Sequence, residues 1–106
     1  MVPGTAVHVK DMVDNGAFSH DGTDGSSPSD RQNRFGVISG AGENIAWAYN
    51  PTGKGFAEQF AVDDGVPSRG HRNNMFNPDF NEFACVCDSY NDPASGDRVM
   101  VTLNYA

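Results

Sequence analysis

The chain has 106 residues, with 14 acidic side chains against seven basic ones and a formal net charge of −7 at pH 7. Hydrophobic residues make up 38% and aromatic residues 10%, a composition typical of a globular protein with one modest core. The negative charge argues against nucleic acid or an anionic membrane surface as the main partner, because both would repel it. No stretch approaches the roughly 20 apolar residues that span a bilayer. The sequence therefore predicts one small acidic domain over residues 1–106.

The first third of the chain predicts two helices separated by a loop. Residues 3–14 predict a short helix ended by Asn15-Gly16, because four apolar side chains recur near helical spacing: Ala6, Val9, Met12 and Val13. Residues 21–29 are rich in Gly, Ser and Asp and predict a loop. Ser27 as a cap and Pro28 at the first position then predict a second helix, which is expected to end at Gly36.

The rest of the sequence predicts further helices followed by a small sheet. Residues 45–49 fit either a strand or a short helix, and residues 55–63 predict a helix. Residues 83–87 and 99–103 predict an antiparallel hairpin whose long loop covers residues 88–97. Four aromatic residues are interpreted as core: Trp47, Tyr49, Phe56 and Phe60. The predicted class is α+β, with helices first and strands late.

Histidines and cysteines are the candidates for chemistry. His71 lies where a loop passes into a short helix, His20 lies in a loop, and Glu43 lies in a glycine-flanked block. Two imidazoles and a carboxylate suit either a metal site or acid–base chemistry. His8 has no supporting block and is expected to be exposed. Cys85 and Cys87 share one face of a strand and are interpreted as buried thiols, since a Cys-x-Cys zinc site would need further ligands.

Three segments resemble the sequence motifs of a known family. Residues 18–31, the Gly42-Glu43-Asn44-Ile45-Ala46 block and residues 63–80 resemble, in the same order, the motifs of microbial CAP domains. These are the domains of cysteine-rich secretory proteins, antigen 5 and pathogenesis-related 1 proteins, also called SCP domains. The resemblance implies an α-β-α sandwich with a small antiparallel sheet and a central cleft, in a form with a short N-terminus.

The resemblance also implies the residues of the cleft. Carried over by position, they are His20, Glu43, His71 and one acidic residue before the last histidine. Asp63 is slightly favoured for that acid, and Asp64 and Glu58 stay open. The resemblance implies that His20 and His71 can bind zinc or another divalent cation.

A binding or interaction module with a lipid, sterol or protein partner is the function that the resemblance implies. It also implies secretion, although residues 1–10 contain no secretory signal, so an organellar or cytoplasmic location stays open. A structural subunit with a vestigial cleft is one alternative. A weak metal-assisted hydrolase with Glu43 as base is the other, disfavoured because two histidines are a sparse catalytic zinc site and no nucleophile lies beside them.

Overall fold

In this computed structural model, helices lie on both faces of an antiparallel sheet. The structure describes residues 4–36, 42–94 and 96–106. In that part of the chain the helices are α1 (Gly4–Asn15), α2 (Pro28–Asn33), α3 (Gly53–Val62) and α4 (Gly70–Met75). The strands are β1 (Gly42–Ala48), β2 (Phe83–Asp92) and β3 (Gly96–Tyr105). They form one sheet in the order β1-β3-β2 with antiparallel pairing. The α+β class is confirmed.

The sheet separates two apolar clusters. One cluster joins α1 to the sheet and contains Val9, Met12, Ile45 and Met100. The other joins α3 to the opposite face and contains Ala46, Phe56, Phe60 and Val101. Consecutive strand residues point to opposite faces, so neighbours such as Ile45 and Ala46 serve different clusters. The arrangement is an α-β-α sandwich, as the resemblance implied.

The predicted start of the second helix is confirmed, and its end is not. Ser27 accepts a hydrogen bond from the backbone N–H of Asp30, whose carboxylate accepts one from the N–H of Ser27, so the two residues form a capping box. The helix ends at Asn33 rather than at Gly36. The ambiguous segment 45–49 lies mainly in strand β1, because pairing with β3 from Gly42↔Tyr105 to Ala48↔Val99 satisfies its backbone.

The prediction of a long hairpin loop over residues 88–97 is wrong. The β2–β3 ladder runs on to the pair Asp92↔Gly96, so both strands extend through segments that read as polar loop. Side chains on the ladder stabilise this extension: Arg98 pairs with Asp92 and lies over the rings of Tyr90 and Trp47. Composition alone does not show such cross-strand partners.

Two predictions of burial are also wrong. Cys85 and Cys87 are free and exposed, and the strand that carries them, β2, lies at an edge of the sheet. Trp47 and Tyr49 are 38% and 50% exposed, whereas Phe56 and Phe60 are buried as predicted. Trp47 lies near the end of β1 and Tyr49 follows that strand, and the two rings pack edge to face at the surface with centroids 5.5 Å apart.

No described helix could cross a membrane. The longest, α1, has 12 residues, against the roughly 20 that a bilayer requires.

Candidate functional site

Glu43 is the acceptor at the centre of a buried polar network. Its Oε1 accepts a hydrogen bond from Nδ1 of His20 at 2.9 Å. Its Oε2 accepts hydrogen bonds from Nη2 of Arg31 at 2.7 Å and from Nδ2 of Asn104 at 3.0 Å. Nε2 of His8 lies 3.6 Å from Oε1. Residues from α1, α2, two strands and the loop at 16–27 thus meet at one carboxylate.

The network holds Glu43 in its ionised form. Burial by itself raises the pKa of this carboxyl, but the hydrogen bonds from His20 and Asn104 and the positive charges nearby together bring that pKa below its usual value. Arg31 is almost completely buried and also donates to the carbonyl oxygens of Ser26 and His20, both at 2.9 Å. Arg31 therefore neutralises Glu43 and fixes the loop that carries His20.

Asp63 orients His71 in a second pair. Asp63 caps the end of α3 in the left-handed conformation, with φ of 53°. Its Oδ1 accepts a hydrogen bond from Nδ1 of His71 at 2.8 Å, and its Oδ2 accepts from the backbone N–H groups of His71 at 2.9 Å and Arg72 at 3.2 Å. Burial raises the pKa of Asp63, yet these donors together bring it below its usual value. One carboxylate thus starts α4 and sets the orientation of the imidazole.

Asparagine side chains join the two histidine pairs. Nδ2 of Asn44 donates to the carbonyl oxygen of His71 at 3.0 Å, and Nδ2 of Asn74 donates to the carbonyl oxygen of Glu43 at 3.1 Å. Gly42 leaves space for the ring of Phe80, because a Cβ there would lie 2.7 Å from that ring. The Gly42–Ala46 block and the short helix α4 are therefore held as one unit.

Both histidines line a single hollow of about 590 Å³, called here the histidine hollow. Its lining consists of Phe18, Ser19, His20, Ile45, Ala46, Trp47, Gln59 and His71. The His20 side chain is half exposed and the His71 side chain is 28% exposed, so solvent reaches both rings. Within the described ranges, neither Nε2 atom makes a hydrogen bond. The volume of the hollow falls within the roughly 300–1,000 Å³ that is common for ligand pockets.

Comparison with known proteins now decides the family. The sequence model of the cysteine-rich secretory protein family, CAP, matches residues 5–105. This chain belongs to the CAP family. No protein with curated annotation and no solved structure gives a significant match. The family match covers almost the whole of the described fold, so the histidine hollow of this CAP domain lies entirely inside the matched region.

The CAP domain brings together the residues that its sequence motifs indicated. His20 contacts Glu43, and His71 contacts Asp63, with both histidines on the same hollow. The other candidate acids lie elsewhere: Asp64 accepts from the backbone N–H of Gly65, and Glu58 lies 3.6 Å from Lys54 on the exposed face of α3. Asp63 is thus the acid in contact with His71. Among the described residues, no group of three or more His, Cys, Asp or Glu side chains is arranged to hold a metal ion.

Sequence reasoning missed three members of the Glu43 network, His8, Arg31 and Asn104, and its prediction that His8 is exposed was wrong. His8 is completely buried, and its Nε2–H donates to the carbonyl oxygen of Ser19 at 2.8 Å. The signal was present: His8 lies one helical turn from both Thr5 and Met12, which are on the buried side of α1. Arg31 ends the first sequence motif, but nothing in that motif indicated that its charge would be buried.

The stability of the CAP domain should depend on pH through His8. Desolvation lowers the pKa of His8 below its ordinary value of about 6.5, in spite of the nearby Glu43 charge. The unfolded chain therefore binds more protons than the folded one between these two pKa values. We expect the free energy of unfolding to fall, by up to about 1.4 kcal/mol per pH unit, as pH decreases below about 6.5.

Urea denaturation at a series of pH values, on the wild type and on His8→Gln, measures this dependence. The glutamine amide can donate to Ser19 in place of Nε2–H and does not titrate, so the variant should show a flatter profile near pH 6.5. Asp63 and Glu43 act in a separate range, since their lowered pKa values affect stability only at more acidic pH. An equal slope in both proteins would contradict the assignment to His8.

Proposed function

We propose that this CAP domain is a binding module whose histidine hollow holds a divalent cation, zinc being the first candidate, through His20 and His71. The observation that carries the proposal is the orientation of the two imidazoles. Each ring uses Nδ1–H to donate to a buried carboxylate, Glu43 or Asp63, so a neutral ring keeps its lone pair on Nε2. Carboxylate–histidine pairs of this kind orient metal ligands in many proteins.

Two imidazoles leave coordination positions that water or a bound partner would complete. A divalent ion there would act as a Lewis acid toward an oxygen or nitrogen of that partner. The hollow also offers apolar contacts through the exposed rings of Phe18 and Trp47. A site of this composition is better suited to binding a lipid, a sterol or a protein segment than to catalysing a reaction of such a ligand. We further propose an extracellular location, in keeping with the secretory family to which the chain belongs.

The state of Glu43 supports binding rather than hydrolysis. A general base needs an oxygen that can accept a proton from substrate or water. Both oxygens of Glu43 already accept hydrogen bonds, and one of them faces the guanidinium of Arg31. Its pKa is lowered, which makes it a weaker base. In this proposal Glu43 is a positioning residue for His20.

Calorimetric titration with zinc tests the proposal. The protein should carry Cys85→Ser and Cys87→Ser, so that thiols do not contribute, and we expect one site per chain. His20→Ala and His71→Ala should each weaken binding by at least roughly 100-fold, and Asp63→Asn by about 10- to 100-fold. Glu58→Gln is the control, because Glu58 lies on the exposed face of α3 outside the hollow and should leave zinc affinity unchanged. Affinity that survives both alanine substitutions would overturn the proposal.

The single tryptophan gives an independent measurement. Trp47 lines the hollow with both histidines, so a paramagnetic ion such as Co²⁺ bound there should quench its fluorescence. Quenching should saturate with the stoichiometry found by calorimetry and should disappear in His20→Ala/His71→Ala. Zinc should reverse it by competition. Quenching that persists in the double variant would place the ion elsewhere.

A further inference from the structure

A second hollow, on the sheet face opposite to α1, is lined by three sulfur-containing side chains. It has a volume of about 610 Å³ and shares no lining residue with the histidine hollow. We call it the sulfur hollow, and the residues that matter here are Met75, Cys85, Cys87, Asp88, Val101 and Leu103. The rest of its wall is mainly apolar and includes rings from α3.

The register of the hairpin shows that both thiols face this hollow. Cys85 lies opposite Leu103, and Cys87 lies opposite Val101. Residues directly opposite in an antiparallel pair share a face of the sheet. Val101 and Leu103 belong to the apolar cluster under α3, whereas Val86, between the cysteines, packs on the α1 side. Both thiols are exposed and free.

The pair is poorly placed for a disulfide within the strand. Residues two apart on a strand are separated by about 6.4–6.8 Å, and their side chains run nearly parallel. A disulfide requires Cβ atoms only about 3.5–4.5 Å apart, so bond formation would need backbone movement. While β2 stays paired with β3, the two sulfur atoms remain available as separate ligands.

The spacing of Cys85 and Cys87 along β2 is compatible with one metal ion bound between their sulfur atoms. Metal–thiolate bonds of about 2.3 Å on both sides span about 4.6 Å between sulfurs. Side chains about 6.6 Å apart reach that separation if each sulfur leans about 1 Å toward the other. The strand can therefore keep its geometry while the two thiolates share one ion.

The types of ligand at the sulfur hollow determine which metal ion would bind there. In the part of the chain that the structure describes, no group of His, Asp or Glu completes a closed four-ligand site with these cysteines. Thiolates, with the thioether of Met75 in the same hollow, are soft ligands that select Cu(I). From this geometry we propose that Cys85 and Cys87, assisted by Met75, form a binding site for the soft monovalent ion Cu(I). Asp88 at the hollow and the net charge of −7 attract a cation to it.

Binding at the sulfur hollow requires loss of thiol protons. Because a metal competes with protons for each sulfur, Cu(I) affinity should fall as pH decreases.

Anaerobic titration of the reduced protein with Cu(I), in competition with a chromophoric Cu(I) chelator, tests the site. We expect one Cu(I) per chain, thiolate-to-copper absorption in the ultraviolet, and protection of both cysteines from alkylation as read by mass spectrometry. Cys85→Ser and Cys87→Ser should each weaken binding by at least roughly 100-fold, and Met75→Leu by less. The serine variants should fold, because both thiols are exposed; circular dichroism checks this.

His20→Ala/His71→Ala is the matched control and should bind Cu(I) as the wild type does. Two results would overturn the proposal. One is affinity that is unchanged in Cys85→Ser/Cys87→Ser, which would place the ion away from the sulfur hollow. The other is one Cu(I) per two chains, which would mean that thiols of separate molecules share the ion. Neither result bears on zinc at the histidine hollow.

Discussion

Replacement of Glu43 by glutamine is expected to lower the free energy of unfolding by about 3–5 kcal/mol. The carboxylate is the charged partner of Arg31, and both side chains are at most 2% exposed. Glutamine keeps the size of the side chain but leaves the guanidinium charge buried without a counter-charge. A domain of this size has about 5–15 kcal/mol of stability in total, so the loss would be a large share. Urea denaturation monitored by circular dichroism measures it.

Two further variants test whether the loss of stability comes from the buried Glu43–Arg31 pair rather than from any replacement of glutamate by glutamine. Glu58→Gln makes the same change on the exposed face of α3, next to Lys54, and should leave the unfolding midpoint unchanged within error. Arg31→Met/Glu43→Gln removes the charge as well as its partner, so it should cost less than the sum of the single variants. Equal effects of Glu43→Gln and Glu58→Gln would show that the buried pair does not stabilise the fold.

Phe60→Ala should lower the free energy of unfolding by about 3–5 kcal/mol. Phe60 is 1% exposed and lies in the cluster between α3 and the sheet, so its removal leaves a cavity. Its ring centroid is also 5.2 Å from that of His71, so the variant should loosen one wall of the histidine hollow. Chemical denaturation gives the stability, and zinc titration of the folded variant gives the effect on the site.

Phe76→Ala is the matched control for this variant. Phe76 is 67% exposed, so the same truncation should change stability by no more than about 0.5 kcal/mol. A small effect of Phe60→Ala, close to that of Phe76→Ala, would mean that the α3 side of the sandwich contributes little to the core. That result would leave the hydrogen bonds of Asp63, rather than the Phe60 ring, as the support of His71.

Local sequence signals located most of the elements. The Ser27-Pro28 start of α2, the apolar spacing of α1 and the positions of Phe56 and Phe60 each depend on neighbours within a few residues. The strand regions near 85 and 101 were found in the same way, but their ends were not. Those ends depend on contacts that Arg98 makes across the sheet, with Asp92 and Tyr90 on β2 and with Trp47 on β1.

The residues of the candidate site were likewise only partly predictable from local sequence signals. Motif order in the sequence indicated His20, Glu43 and His71, but it left three acids open beside the last histidine. The contact of Asp63 with His71 depends on the left-handed turn that ends α3, which directs this carboxylate at the start of α4. Spacing along the chain does not determine that direction.

By itself the sequence determined the class of fold and the family motifs that contain His20, Glu43 and His71, because these are written in short-range patterns and motif order. Only the tertiary structure decided that His8 and Arg31 are buried around Glu43 and that Cys85 and Cys87 are exposed. Burial depends on which element covers a given face, and this follows from packing between distant segments. The same residue type can therefore be core in one strand and surface in the next.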